Sequence, residues 1–234
     1  MKREIEKKYL IADQDARDKL VAGFKDQFSQ MEHTGTKTVI SYFYKKAERD
    51  QILAAGTKLL DADQLKDLTY LLDNTDEQIV KCRSVDDRVE FAVKGSPKGE
   101  DPVHAADRLE FEVVLDTELE TINEALVSAG IELVSKWSST REFYNLDADT
   151  TANIEFVSGY GHKAEIEMLV EEGDSTAEAL QQIDRLAESV GLQPATDALM
   201  GRMYNYYNQH WPEFFNTKKT FSPETWELLL RKEA

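Results

Sequence analysis

At least five short segments of this chain alternate charged and apolar residues with a period of two. Successive side chains of a β-strand point to opposite faces, so each such segment predicts a strand with one charged and one apolar face. Residues 1–10 set Glu4, Glu6 and Lys8 against Ile5 and Tyr9. Residues 78–85 set Lys81 and Arg83 against Val80 and Cys82, and residues 88–94 set Glu90 and Lys94 against Val89, Phe91 and Val93. Residues 107–115 place Arg108, Glu110 and Glu112 opposite Leu109, Phe111 and Val113. In residues 163–171, Lys163, Glu165 and Glu167 oppose Ala164, Ile166 and Met168.

Three further stretches, 36–46, 132–144 and 152–157, bring the strand candidates to eight, most of them antiparallel neighbours. Asp86-Asp87 and Gly159-Tyr160-Gly161 fall where tight connections are needed. Asn74-Thr75-Asp76 reads as a turn and 95–102 as a loop. Helical spacing of apolar residues marks 13–29, capped by Asp13 or Asp15, then 48–72 with a break at Gly56, and 117–129 stopped by Gly130. Beyond residue 173 the chain is helical: 175–190 with a Ser or Thr cap, 196–210 with an apolar stripe, and a short helix opened by Ser222-Pro223.

With 234 residues and 41% hydrophobic content, the chain can bury one substantial core, so a single domain is predicted: 1–171 for strands and connecting helices, 172–234 for a helical extension. A formal net charge of −17 argues against nucleic-acid and anionic-membrane partners. Charges from residue 2 onward and the absence of a long apolar run predict a cytoplasmic protein without signal peptide or anchor. Cys82, the single cysteine, reads as a packing residue, as do Tyr42 and Tyr44. The four histidines, His33, His104, His162 and His210, show no metal-ligand spacing.

Two architectures accommodate the alternating faces. An open sheet would offer its charges to water; an eight-stranded barrel would turn them inward, with helices outside and room for one small ligand. The charged faces are nearly all Glu, Lys and Arg, with few of the neutral polar residues of ordinary solvent faces. Enclosed charges cost several kcal/mol each unless paired or ligated. A hard divalent cation together with a polyphosphate would satisfy both signs.

The motif Glu4-x-Glu6-x-Lys8 resembles the E-x-E-x-K signature of the CYTH superfamily, the triphosphate tunnel metalloenzymes, which include thiamine and inorganic triphosphatases and class IV adenylyl cyclases. The similarity continues in order through Glu77-Gln-Ile-Val-Lys-Cys-Arg83, Phe91-Ala-Val-Lys94-Gly95, Arg108-x-Glu110-x-Glu112, Arg141-x-x-Tyr144 and Gly159-Tyr-Gly161-x-x-x-Glu165-Ile-Glu167. Two positions depart from the pattern. The lysine of the family's K-x-R-x-x-Y falls at Ser139, with Lys136 three residues earlier on the opposite strand parity, and an acidic position that is usually aspartate is Glu155.

The resemblance implies an α+β fold built on an eight-stranded antiparallel tunnel that binds a triphosphate with Mg²⁺ or Mn²⁺. It assigns Glu4, Glu6, Glu155, Glu165 and Glu167 to metal, and Lys8, Lys81, Arg83, Lys94, Arg108 and Arg141 to phosphates. Glu6, Lys8, Glu110 and Glu112 are the residues expected at the chemistry. The implied activity is hydrolysis of inorganic tripolyphosphate or an organic triphosphate such as thiamine triphosphate, by a monomer or homodimer. The alternatives are cyclic AMP formation from ATP and non-catalytic binding of polyphosphate.

Overall fold

The computed structural model describes residues 2–98, 109–171 and 175–231. Its elements in chain order are β1 (Lys2–Ile11), α1 (Gln14–Gln27), β2 (Glu32–Tyr44), α2 (Arg49–Leu59), α3 (Ala62–Asn74), β3 (Thr75–Val85), β4 (Arg88–Pro97) and β5 (Leu109–Leu115). Then follow α4 (Leu119–Ser128), β6 (Leu133–Asn145), β7 (Thr150–Val157), β8 (Gly161–Glu171), α5 (Thr176–Ser189), β9 (Gln193–Pro194), α6 (Asp197–Phe214) and α7 (Pro223–Leu230). The fold is α+β, with the eight expected strands in one sheet and a two-residue ninth at its end.

The hydrogen-bonded order is β5-β4-β3-β2-β6-β7-β8-β1-β9. Every register resolved, from β1–β8 to β6–β7, is antiparallel. Among the described residues the ladder runs from β5 to β9 without a closing pair. Strand β9 was not legible in the sequence: it is two residues long, pairing with Tyr9 and Leu10, and Pro194 has no N–H with which to extend the edge. The chain divides into two compact units, 1–38 with 138–234 and 39–137.

In the first unit the apolar faces of β1, β7 and β8 contribute Tyr9, Ile11, Ala152, Ile154, Ala164 and Ile166 to a core closed by Leu20 and Phe24 of α1 and by Ile183 and Ala187 of α5. Helix α1 starts where Asp13 accepts a hydrogen bond from the backbone of Ala16, and α5 where Ser175 accepts from Glu178. Helix α5 lies in this core through Ile183 and Ala187, and Lys7 of β1 bonds Asp184 of α5 at 2.6 Å. Helices α6 and α7 and the segment that joins them bring Tyr206, Tyr207, Phe214, Phe221 and Trp226 into an aromatic cluster around Tyr160, on the turn between β7 and β8. That turn is also held by backbone bonds from Gly159 to Lys219 at 2.8 Å and from Phe221 to Gly159 at 2.7 Å. Gly159 has a φ of 86°, and a Cβ there would stand 2.7 Å from the Tyr207 ring.

In the second unit α3 and α4 pack against β3–β5, and α2 packs on α3 and α4. Val80, Cys82, Phe91 and Val93 are fully buried on that side, with Ile52, Leu68, Leu72, Ile122 and Leu126 from the helices. Burial pushes the Cys82 thiol up to about 12 and Tyr44 bonds it, which makes it a packing residue as expected. The expected hairpin at Asp86-Asp87 is present, with Asp86 at φ 52°.

Two boundaries differ from the sequence reading. The helical stretch 48–72 breaks at Leu60-Asp61, where Asp61 caps α3, and Gly56 lies buried inside α2. A Cβ at Gly56 would meet Leu68 at 2.8 Å, so that glycine serves close helix packing rather than a break. Asn74-Thr75-Asp76 is no turn: α3 ends at Asn74 and β3 begins at Thr75. The turn-forming residues there mark a helix end and a register shift between Asp76 and Ile79, with Glu77 at φ 53°.

Candidate active site

The register of the first unit lines up one polar face across four strands. Arg141 of β6 is opposite Glu155 of β7, which is opposite Lys163 of β8. One step along, Asn153 pairs with Glu165 and Glu165 with Lys8 of β1; the next row is Thr151, Glu167 and Glu6. Charges that alternation could only assign to a face are therefore neighbours about 5 Å apart across each row.

The carboxylates of Glu6, Glu165 and Glu167 offer oxygens that all lie within 4.8 Å of one another. Glu165 is buried, Glu167 half-buried and Glu6 exposed. Thr151 and Asn153 donate to the two oxygens of Glu167 at 3.0 and 2.9 Å, which fixes its plane. Lys8 lies 2.5 Å from Glu6 and 4.0 Å from Glu165. An all-oxygen carboxylate set of this size fits a hard divalent cation such as Mg²⁺ or Mn²⁺, with positions left for water or phosphate. Glu4 belongs to β1, and its side chain lies outside the described residues.

Glu155 stands beside this group and is engaged by cations instead. Arg141 reaches it at 3.1 Å and Lys163 at 2.7 Å, while Lys163 also lies 3.1 Å from Glu165 and Arg141 3.9 Å from it. The Glu155 side chain is only 6% exposed. Burial pushes its carboxyl up, but Lys163 and Arg141 more than reverse this and hold it below the ordinary carboxylate range. The same balance of burial against Lys163, Arg141 and Lys8 holds Glu165 low. The structure therefore does not bring Glu155 into the Glu6–Glu165–Glu167 group.

A carboxyl whose pKa is depressed on folding contributes stability that is complete above its unfolded value, near 4.5, and that is lost as pH falls through the folded value. Glu155→Gln is expected to cost about 3 kcal/mol at pH 7, because it leaves two part-buried cations short of an anion. The difference from wild type should shrink as the pH falls below 4.5. Urea unfolding at pH 7 and at lower pH checks this; a penalty independent of pH would remove the assignment.

In the second unit the corresponding face carries Lys81 and Arg83 on β3, Glu90 and Lys94 on β4, and Glu110 and Glu112 on β5. Arg83 bonds buried Glu90 and lies 3.3 Å from Glu112, and Lys94 pairs with Glu110 at 2.7 Å. Lys81 stands over the Phe43 ring, 5.2 Å from its centre. Arg108 lies outside the described residues. Lys136 does not stand in for the lysine expected at Ser139: it bonds Glu120 of α4 at 3.1 Å and covers the Tyr42 ring at 4.2 Å. The odd spacing from Arg141 along β6 is what turns it to the helix side.

Sequence reasoning placed Lys163 and Glu90 on charged strand faces without a role in the site, and passed over Asn153 and Thr151. Lys163 had a signal, its even spacing from Glu165 and Glu167, whereas Asn153 and Thr151 reach Glu167 through a register that a single strand does not encode.

No protein-family model matches the chain, and no curated protein matches it in sequence. Solved structures do. The PH1819 protein of Pyrococcus horikoshii OT3 superposes with a TM-score of 0.53 at 22% identity, over 82% of this chain and 92% of that one. A Vibrio parahaemolyticus protein described as a candidate adenylate cyclase gives 0.53 at 16% identity, over 86% and 97%. HpAC1 from Hippeastrum, described as an adenylyl cyclase candidate with a dominant triphosphatase activity, gives 0.50 at 13% identity, over 87% and 96%. At these identities the likeness establishes the fold.

Proposed function

We propose that the chain is a CYTH-type, divalent-metal-dependent triphosphatase that releases orthophosphate from the end of a small-molecule triphosphate. The observation that carries this reading is the adjacency, on one sheet face of the first unit, of the Glu6–Glu165–Glu167 carboxylates and the cations Lys8, Arg141 and Lys163. Carboxylates alone would suit a structural ion, and cations alone an anion; side by side they suit a metal-bound polyphosphate.

A divalent cation held by Glu6, Glu165 and Glu167 would supply Lewis-acid polarisation of a phosphoryl oxygen. The chain itself does the positioning. Thr151 and Asn153 hold Glu167 in one orientation, so its oxygens need no reorganisation when the site fills. Arg141 offers a guanidinium fixed by Glu155, suited to binding two phosphate oxygens at once. Lys8 is the exposed cation of the group, able to leave Glu6 for a phosphate. In hydrolysis a water oxygen bonds the terminal phosphorus, the bridging P–O bond breaks, and the water proton passes to a carboxylate. On the resemblance, Lys81, Arg83, Lys94 and Arg108 bind phosphate, and Glu110 and Glu112 orient water.

Product release from tripolyphosphate, thiamine triphosphate and ATP, each with Mg²⁺, Mn²⁺ or chelator, tests the proposal. Metal-dependent orthophosphate is the expected result. Cyclic AMP and pyrophosphate from ATP would replace the hydrolase by a cyclase, and tripolyphosphate binding without product would replace it by a binding protein.

A further inference from the structure

Lys163 has no part in the motifs that align this chain with triphosphatases, yet it lies at the centre of the polar face. Its side chain is 15% exposed, and its ammonium contacts both Glu155 and Glu165. Position 139, where the K-x-R pattern asks for a lysine, carries a serine on the same face of β6 as Arg141, beside Glu155, the carboxylate that Lys163 bonds. Lys163 thus delivers its charge to the carboxylate beside position 139, two strands away across β7.

Charge balance says what this ammonium is for. Glu155 has Arg141 at 3.1 Å and Lys163 at 2.7 Å, two cations on one carboxylate, and both also face Glu165. Once Glu165 is committed to a divalent cation, Arg141 and Lys163 retain Glu155 as their one close carboxylate. With a divalent cation held by Glu6, Glu165 and Glu167, the face carries that cation and Lys8, Arg141 and Lys163 against the carboxylates Glu6, Glu155, Glu165 and Glu167, a positive excess that a further anion would offset. The Arg141 Nε is buried and has no hydrogen-bond partner, so a donor beside Lys163 also awaits an acceptor.

We propose that Lys163 is a further substrate-binding residue: reaching in from β8, it makes the phosphate-oxygen contact that the lysine missing at Ser139 would have made. This rests on the triphosphatase reading above. It also gives the substitution at 139 a physical account, since the positive charge has moved to another strand of the same face.

The test compares wild type, Lys163→Met, and Lys163→Met combined with Ser139→Lys. Binding is read by calorimetry with Mg²⁺ and the imido analogue of tripolyphosphate, whose bridging nitrogens resist hydrolysis, and KM and kcat are read with Mg²⁺ and tripolyphosphate. Lys163→Met is expected to weaken binding and raise KM about ten- to hundredfold, the size of one charge-assisted hydrogen bond, with a smaller change in kcat. Ser139→Lys should restore most of the loss. Because a lysine at 139 would also reach Glu155, urea unfolding is read on the same three proteins: a binding role loses and regains affinity out of proportion to stability, and affinity that only follows stability overturns the proposal. Unchanged affinity in Lys163→Met, or a loss that Ser139→Lys does not recover, overturns the proposal. If Lys163→Met does not fold, Glu155→Gln with Lys163→Met removes the pair together, and wild-type affinity in that variant would equally overturn it. Wild type that binds tripolyphosphate without splitting it defeats the hydrolytic reading and leaves the Lys163 comparison intact; wild type that does not bind it overturns both.

Discussion

Glu165→Gln is expected to lower metal-dependent phosphate release about a thousandfold, or about 4 kcal/mol of transition-state stabilisation, and to weaken Mn²⁺ binding in the absence of substrate. Glu165 is the buried member of its carboxylate group and the one on which Lys8, Arg141 and Lys163 all converge. Its replacement by an amide keeps the shape and removes the charge, so a metal would lose its least hydrated, most strongly attracting oxygen. Glu6→Gln, at the exposed edge of the same group, should act in the same direction with a smaller effect, because water can replace an exposed ligand more easily. Activity is measured with tripolyphosphate and Mg²⁺, and metal affinity by calorimetry, with circular dichroism confirming that both variants are folded. A folded Glu165→Gln protein keeping more than about a tenth of wild-type turnover would remove the metal assignment from this face.

The second large effect concerns residues far along the chain from the acidic motifs. Phe221→Ala is expected to destabilise the first unit by about 3–5 kcal/mol. Phe221 is 3% exposed and touches the rings of Tyr160, Tyr206, Phe214 and Trp226. Removing its ring leaves a cavity that none of those large, mutually packed rings can fill by a rotamer change. The backbone of Phe221 also bonds Gly159 at 2.7 Å, so the loss falls on the turn that joins β7 to β8, the strands bearing Glu155, Lys163, Glu165 and Glu167. Denaturant unfolding reads the cost; a penalty below about 1 kcal/mol would show that α6 and α7 are an appendage whose packing the sheet does not need.

Much of this was readable residue by residue. A period of two separates Glu4, Glu6 and Lys8 from Ile5 and Tyr9 on steric grounds alone, and it did the same correctly in β3, β4, β5 and β8. Local chemistry likewise marked helix starts at Asp13, Ser175 and Ser222, because a cap is a contact between residues three apart. Gly56 and Asn74-Thr75 misled for a related reason: a glycine or a turn-forming residue signals that the backbone needs freedom, but not whether the need is a break, a bulge or a close neighbour.

The rest depended on which strand lies beside which, and in what register. Nothing in residues 1–10 says that Glu6 faces Glu167 and Lys8 faces Glu165, since those partners are about 160 positions away and a one-residue slip would exchange every face. The engagement of Glu155 by two cations, the diversion of Lys136 to Glu120, and the arrival of Lys163 beside Arg141 all follow from pairing across β6, β7 and β8 and from packing on α4. Strand character and face come from short-range sterics and the pattern of polarity, which a single sequence carries. Charge partners come from contacts between distant segments, selected by burying the apolar side of the sheet, and those exist only once the chain has folded.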